Sequence, residues 1–308
     1  MKSPDACVGV RLPDSDVPSG PFHQGELQAQ ALAGFTTSGA AIRNFMPDQH
    51  RTFFAALPYV LLATTDDEGW PLATILAGEP GFISSPDPRS LAIATSPDTH
   101  DPVLSQIATG GAVGMLGIDF STRRRNRANG VVTAFIDHRL HLDIQQSFGN
   151  CPKYIHVRNI AVRSVERFTP MDVSDFAGLD YAACELISSA STFFVATNSG
   201  QQSGAGGVDI SHRGGAAGFV KVDGDTITCP DYLGNRYFNT LGNLILEPRA
   251  ALLFIDFSNG DLLHLRGRAE ILWQTDETQL FPGAERLWRF KVERCTRRSM
   301  TPYIVAET

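Results

Sequence analysis

Several signatures that would announce a function are missing from this chain. Five cysteines are spread over 308 residues, and no two of them form a Cys-x-x-Cys pair, so neither a zinc ribbon nor a redox dithiol is encoded. Cys7, Cys151, Cys184, Cys229 and Cys295 read as separate reduced thiols used as small buried apolar groups. Only 19% of the residues are charged, 26 basic against 33 acidic, for a net charge of −7. There is no long run of one sign, which excludes nucleic acid and anionic membrane as partners drawn by the overall field. The local exception is Arg123-Arg124-Arg125-Asn126-Arg127. Apolar runs such as Tyr59-Val60-Leu61-Leu62-Ala63 and Ala250-Ala251-Leu252-Leu253-Phe254-Ile255 are far shorter than a membrane span and read as buried strands.

Catalytic and metal signatures are absent as well. No serine–histidine–acid arrangement, paired-carboxylate motif or Walker-type loop is visible, and the eight histidines show no metal-ligand spacing. His138 and His141, three apart in a β-rich stretch, point to opposite faces of a strand, so no metal site is expected. The first twenty residues contain Pro4, Pro13 and Pro18 with few apolar groups and no apolar stretch of the secretory kind. They read as a flexible leader over 1–20 on a cytoplasmic protein.

What is present is a rhythm of short elements. His23 to Gly34 reads as a short helix stopped by glycine, and a second helix starts at Pro47, places Phe53, Phe54 and Leu57 on one side and ends at Pro58. From Tyr59 the pattern turns to β-rich runs: Tyr59 to Thr65, a break at Asp66-Asp67-Glu68-Gly69, then Leu72 to Leu76, Gly81 to Ser84, Leu91 to Ala94, Val113 to Phe120 and Val131 to Ile136. Short strands with few helices predict a sheet closed on itself or a sandwich.

The pattern then begins again. Gly218-Phe219-Val220 echoes Gly81-Phe82-Ile83, and Leu253-Phe254-Ile255-Asp256-Phe257 echoes Leu116-Gly117-Ile118-Asp119-Phe120, both 137 residues apart. Ala196-Thr197 echoes Ala63-Thr64, and Cys229-Pro230-Asp231 echoes Ser96-Pro97-Asp98, at 133. The four-residue difference belongs in loops. A duplication of this length makes each half large enough for one small barrel.

The segment from Gly218 to Leu272 carries the chemistry. It reads strand, turn at Asp223-Gly224-Asp225, strand Thr226 to Cys229, then Pro230-Asp231-Tyr232-Leu233-Gly234-Asn235-Arg236, a helix from Arg236 to Leu246, and two more strands. A glycine, an amide and an arginine at a helix start suit a phosphate monoester: free backbone N–H groups accept the anion and the guanidinium adds planar donors. Asn235 suits either the anion or a capping role. Upstream, Ser211-His212-Arg213-Gly214-Gly215 offers hydroxyl, imidazole and guanidinium donors beside glycines that let backbone approach a ligand. The same residues also fit a solvated turn with a surface arginine. Arg123 to Arg127 likewise reads either as a solvated hairpin turn or as a cationic group facing something anionic.

These motifs bear a family likeness. Gly-Phe-Val, Pro-Asp-x-x-Gly-Asn-Arg, Phe-Asn-Thr-Leu-Gly-Asn-Leu, Glu-Pro-Arg-Ala, Leu-Leu-Phe and Leu-Arg-Gly-Arg-Ala-Glu-Ile, in this order, resemble the pyridoxamine 5′-phosphate oxidase-like FMN-binding split-barrel superfamily. The first half resembles it more loosely through 77–83, 123–130 and 147–155, and the whole chain looks like an uncharacterised tandem branch of that superfamily.

The resemblance implies a mainly β fold with short helices (α+β), in which two tandem FMN-binding split β-barrels form an internal pseudo-dimer. The expected division is a leader over 1–20, a first barrel with N-terminal helices over 21–165, and a second barrel over 166–308 that holds the FMN phosphate and carries a C-terminal helix. The segment Ala284 to Phe290 is expected to dock on the barrel as an amphipathic piece. The resemblance further implies FMN held by Ser211, Arg213, Asn235, Arg236 and Asn239 from the second half. From the first half it implies Arg124, Arg125, Arg127, Asn150 and Lys153, with Asn129, Cys151 and Tyr154 also candidates. At the position of Gly234-Asn235-Arg236 the first half has Thr99-His100-Asp101-Pro102, whose carboxylate would repel a phosphate, so one complete flavin site per chain is expected.

No counterpart of the true oxidase's C-terminal arginine-x-histidine segment is found. The implied function is therefore an FMN-dependent oxidoreductase other than that oxidase, with a small-molecule substrate and NAD(P)H or a reductase partner as electron donor. The alternative is a non-enzymatic flavin- or haem-binding or sensing module, and deazaflavin stands beside FMN as a cofactor. Association of two chains into a homodimer stays open.

Overall fold

The computed structural model describes residues 20–95, 100–162, 172–200, 207–299 and 304–306. The expected leader therefore lies outside the described residues except at Gly20, as do Ser96-Pro97-Asp98 and Cys7.

Helices α1 (Gln24–Leu32) and α2 (Asp48–Ala56) precede β1 (Tyr59–Thr65), β2 (Pro71–Ala77), β3 (Ile83–Ser84), β4 (Ser90–Ala94), β5 (Ala112–Asp119), β6 (Arg124–Ile136) and β7 (Arg139–Gly149). Two short strands follow, β8 (Ile160–Val162) and β9 (Val173–Phe176). The second half then comprises α3 (Tyr181–Ser189), β10 (Thr192–Asn198), β11 (Val208–Gly214), β12 (Lys221–Asp223), β13 (Thr226–Tyr232), α4 (Asn239–Leu246), β14 (Arg249–Ile255), β15 (Leu262–Leu272) and β16 (Ala284–Arg298). Strand β17 (Ile304–Ala306) pairs back on β8, and β9 on β16.

The two main sheets follow one path. The first runs β2-β1-β5-β6-β7-β4-β3 and the second β11-β10-β14-β15-β16-β13-β12, which is the same order strand for strand. Register agrees too. Leu61 faces Ile75 and Leu116, and Leu116 faces Arg127; Phe194 faces His212 and Leu253, and Leu253 faces His264. The step between equivalent residues is 133 from β1 to β10, and 137 from β2 to β11, from β5 to β14 and from β6 to β15. The four extra residues lie in the β10–β11 connection, 199–207, against 66–70 between β1 and β2. The chain is two tandem split β-barrels forming an internal pseudo-dimer.

Alternation along the central strands shows how the barrels meet. Successive side chains of a strand point to opposite faces. In β1, Val60 and Leu62 enter the first barrel's core while Tyr59, Leu61 and Ala63 enter a core shared by both halves. In β10, Phe193 and Val195 fill the second barrel and Phe194 and Ala196 the shared core. In β14, Ala250, Leu252 and Phe254 alternate with Ala251, Leu253 and Ile255 in the same way. Both faces are buried, so these strands read as continuous apolar runs rather than alternating ones. Gly114 on β5 lets the halves approach: a Cβ there would lie 2.9 Å from the Val208 carbonyl oxygen.

Three local expectations are corrected. The segment Ala284 to Phe290 is part of a fifteen-residue strand, not a helix; Trp288, Phe290 and Val292 are buried between more exposed 289, 291 and 293, which is the period of a strand. The arginine-rich stretch is not a solvated hairpin turn, because only Arg123 sits in the turn, with φ 57°, and Arg124 begins β6. The helix expected from Arg236 begins at Asn239, since Arg236 and Phe238 adopt left-handed φ of 60° and 62° and so break the helical hydrogen-bond run.

Helix α1, although N-terminal to the first barrel, packs on α4 of the second. The contact is close: a Cβ on Gly25 would lie 2.2 Å from the Gly242 carbonyl oxygen, and one on Gly242 would lie 2.7 Å from Glu26 Cα. In an exposed helix Gly→Ala stabilises by about 1 kcal/mol. Here the sign reverses: Gly242→Ala is expected to destabilise by ~1–3 kcal/mol, read as a lowered midpoint in urea denaturation.

Candidate functional site

On β6, Arg125, Arg127 and Asn129 share one face, and on β11 so do Asp209, Ser211 and Arg213. The pseudo-dimer sets these two faces against each other. Arg127, 3% exposed, lies between them and is held entirely by protein groups. Its Nη2 donates to the Ile210 carbonyl (3.0 Å) and Ser211 Oγ (2.6 Å), its Nη1 donates to Asn239 Oδ1 (2.8 Å), and its Nε is 3.0 Å from Asp209 Oδ1.

A cleft opens beside this network, lined among others by Arg125, Asn150, Cys151, Ser211, Arg213, Asp231, Asn235, Arg236, Asn239, Glu285 and Arg286. A ladder of alternating charge runs along one wall. Asp231 accepts from Arg213 (2.9 Å) and Arg286 (2.6 Å), and Glu285 accepts from Arg286 (3.2 Å) and Arg236 (3.1 Å). Counting Arg125 and Arg127, five guanidinium groups face two carboxylates along the lining.

Donors outnumber acceptors here. Arg125 Nη1 donates to His212 Nδ1 at 2.9 Å, which leaves the imidazole neutral with its proton on Nε2. Burial, joined by the Arg125 and Arg213 charges, holds His212 well below the usual histidine range. Burial also lowers Arg125 to about 10, and repulsion from Arg127 and Arg213 adds to it. Arg125 Nε, Arg213 Nε and Asn150 Nδ2 are buried N–H groups without a hydrogen-bond partner. The N-cap position of α4 is Phe238, which supplies no side-chain acceptor to the first N–H groups of that helix. Each of these groups calls for an acceptor, and collectively they call for an anion.

Of the residues singled out in the sequence, Ser211, Arg213, Asn235, Arg236, Asn239, Arg125, Arg127, Asn150 and Cys151 therefore line one cleft. Arg124 and Lys153 do not. Arg124 points the other way on β6 and stacks over the Phe53 ring at 5.0 Å, and Lys153 is exposed. Asn129 lies behind the cleft, donating to Asp209 Oδ1 at 3.3 Å. Tyr154 stacks on Tyr232 with ring centroids 5.0 Å apart, and its carbonyl oxygen would lie 2.1 Å from a Cβ on Gly214. That glycine lets the chain after β7 cross β11 and close the cleft.

Sequence reading missed Arg286, Glu285, Glu26 and His23. The period-2 pattern of β16 was the available signal for the first two. Nothing local links the other two to residues over 200 positions away. Glu26, 3% exposed on α1, accepts from Asn239 Nδ2 and from the His23 backbone N–H (3.0 Å). His23 Nδ1 accepts from Gly25 N–H, so its Nε2 donates to Asn243 Oδ1 at 2.9 Å. Among the described residues no group of side chains suits a metal ion, and no helix is long and apolar enough to cross a membrane. Cys151, Cys184, Cys229 and Cys295 are free thiols, the last two buried.

The profile of the family described as pyridoxamine 5′-phosphate oxidase matches residues 46–175 and again 179–298. The chain belongs to this family, twice over. No curated protein sequence matches it. Similar solved structures include HupZ of Group A Streptococcus, at 15% identity over 37% of this chain and 90% of that one, with a TM-score of 0.30. Another is a FAD-binding protein of Mesorhizobium loti (13%, 42% and 99%, TM-score 0.29). A third is a protein of Clostridium acetobutylicum related to general stress protein 26, of the pyridoxinephosphate oxidase family (18%, 40% and 89%, TM-score 0.27).

Within this family member, α1 brings a buried acid to the rear of the cleft. Burial pushes the Glu26 carboxyl up to about 8, with Asp209 adding to the effect and Arg127 opposing it. Burial pushes His23 down to about 4. A raised carboxyl pKa gives stability that is complete below the ordinary carboxylate range and is lost as pH rises through about 8. A lowered histidine gives stability present above 6.5 and lost as pH falls through about 4. Between pH 6.5 and 8 Glu26 alone of the two changes, at up to about 1.4 kcal/mol per pH unit. Glu26→Gln is expected to flatten the fall in Tm across that window, measured by thermal denaturation at constant ionic strength.

Proposed function

We propose that the cleft between β6 and β11 binds FMN through its phosphate, and that the protein is a flavoprotein oxidoreductase acting on a small-molecule acceptor. The observation that carries this reading is the convergence of three unpartnered buried donors, Arg125 Nε, Arg213 Nε and Asn150 Nδ2, on a cleft with an excess of guanidinium groups. The donor set fits a phosphate monoester: guanidinium from Arg213 and Arg236, amides from Asn235 and Asn150, and the first N–H groups of α4, while the Ser211 hydroxyl accepts from Arg127 and donates to Asp209 Oδ2 at 3.0 Å. Membership of the family supports the flavin in particular.

When bound, FMN supplies hydride or electron transfer; the chain's own residues bind, orient and enclose it. Arg127 acts as a strut: with both Nη atoms hydrogen-bonded to protein and its Nε ion-paired with Asp209, it fixes Ser211 and Asn239 in place. Asp231 and Glu285 hold Arg213, Arg286 and Arg236 extended before a ligand arrives, which reduces the side-chain entropy lost on binding. Arg125, with no carboxylate among its hydrogen-bond partners, offers the first half's positive charge to an anionic ligand. The Tyr154–Tyr232 stack walls the cleft beside Cys151. The electron donor is NAD(P)H or a reductase partner, and the acceptor is a small molecule.

The purified protein is expected to be yellow and to release FMN on denaturation. Arg213→Ala is expected to weaken FMN binding roughly tenfold or more, since a charged hydrogen bond contributes ~1.5–3 kcal/mol, measured by fluorescence titration of the stripped protein. A protein that stays colourless after FMN is added would overturn the reading. Bound FMN that neither NADH nor NADPH nor a reductase can cycle would leave a binding module instead.

A further inference from the structure

The pseudo-dimer lets one half be compared with the other. Register places Thr74 where Ser211 stands, His264 where Arg127 stands, and Arg298 where Asn150 follows β7. The equivalence reaches individual hydrogen bonds: Arg127 donates to the Ile210 carbonyl, and His264 Nδ1 lies 3.1 Å from the carbonyl oxygen of the equivalent Ala73. In the cleft beside β11, Asn150 of the first half leaves its Nδ2 without a hydrogen-bond partner, next to Ser211 of the second half. Their equivalents, Thr74 of the first half and Arg298 of the second, already hold an anion.

That anion is Asp101. One carboxylate oxygen accepts from the backbone N–H groups of Val103 and Leu104, both at 2.9 Å, and the other accepts from the Thr74 hydroxyl and from Arg298 Nη1 at 3.3 Å. Asp101, Thr74 and Arg298 are 3%, 0% and 2% exposed. Among the described residues, four donors surround this buried carboxylate, the surroundings of a bound oxyanion supplied by the chain itself. The equivalent loop of the second half, at Asn235 and Arg236, has no carboxylate side chain in that place.

We propose that the first half retains the oxyanion site of the duplicated ancestor half, with Asp101 as its built-in occupant. Removing that side chain would convert it into a second site for an inorganic oxyanion or a phosphate monoester. Only the comparison between the halves is shared with the proposed function, and the readout needs no flavin. In chloride buffer, Asp101→Ala is expected to lower Tm, because Arg298 loses this carboxylate. Inorganic phosphate at matched ionic strength is then expected to restore at least half of the loss, a larger rise than it gives the wild-type chain. The double variant Asp101→Ala/Arg298→Met is expected to lose that extra response.

An equal phosphate response in Asp101→Ala and wild type overturns the proposal, and so does an extra response that survives in the double variant. Should Asp101→Ala not fold in chloride, the yield of refolding with and without phosphate decides the matter: recovery in phosphate alone supports the site, and recovery in neither overturns it. Repeating the measurement on Arg213→Ala separates the two readings, since the Asp101 effect should persist there whether or not FMN binds the second half.

Discussion

The apolar core shared by the two halves constrains everything else in this molecule. Strands β1, β5, β10 and β14 each bury one face in their own barrel and the other against the opposite half. Neither barrel could leave its partner without exposing Leu61, Leu116, Phe194 and Leu253, and each large side chain is worth ~1.5–3 kcal/mol of burial. Fusion in one chain removes the concentration dependence that two separate barrels would carry. The strands at the core's edge, β6 and β11, are thereby held face to face, and the cleft forms where they meet.

A buried interface would ordinarily exclude charge, yet this one ends in a cluster of arginines. The arrangement is sustained by division of labour. Arg127 is neutralised by Asp209 and tied to backbone and hydroxyl acceptors, while Asp231 and Glu285 each serve two guanidinium groups. What the carboxylates do not cover remains as positive potential and open N–H donors in one place. Across the pseudo-twofold axis the equivalent place is covered by Asp101. The two equivalent places differ in their side chains, Thr74, His264 and Arg298 standing for Ser211, Arg127 and Asn150, and in the carboxylate of Asp101.

Helix α1 adds a third layer of control. Its approach to α4 across Gly25 and Gly242 places Glu26 on Asn239, and Asn239 in turn accepts from Arg127. A neutral Glu26 leaves the cationic character of the cleft intact, whereas its ionised form would oppose an incoming anion. The segment before the first barrel thus reaches the second barrel's candidate site through Asn239.

Much of this was legible in the residues alone. The split barrel followed from the family resemblance of the motifs, whereas the runs from Tyr59 and Ala250, the echoes between the halves, and the turn at Asp223-Gly224-Asp225 determined strands and duplication, because each is a local pattern of period or turn chemistry. The motifs around Ser211 to Gly215 and Gly234 to Arg236 marked the candidate anion site for the same reason. Strand β16 is not legible locally, because the apolar residues at 287, 288 and 290 within Ala284 to Phe290 also fit a short amphipathic helix, and only their cross-strand partners decide. Which arginines meet, that Arg124 turns away while Arg125 and Arg127 turn inward, that Glu26 touches Asn239, and that Asp101 occupies its own half's pocket were decided by tertiary structure alone. Those contacts join residues up to about 200 positions apart, and they exist only once two barrels have buried one face of each against the other.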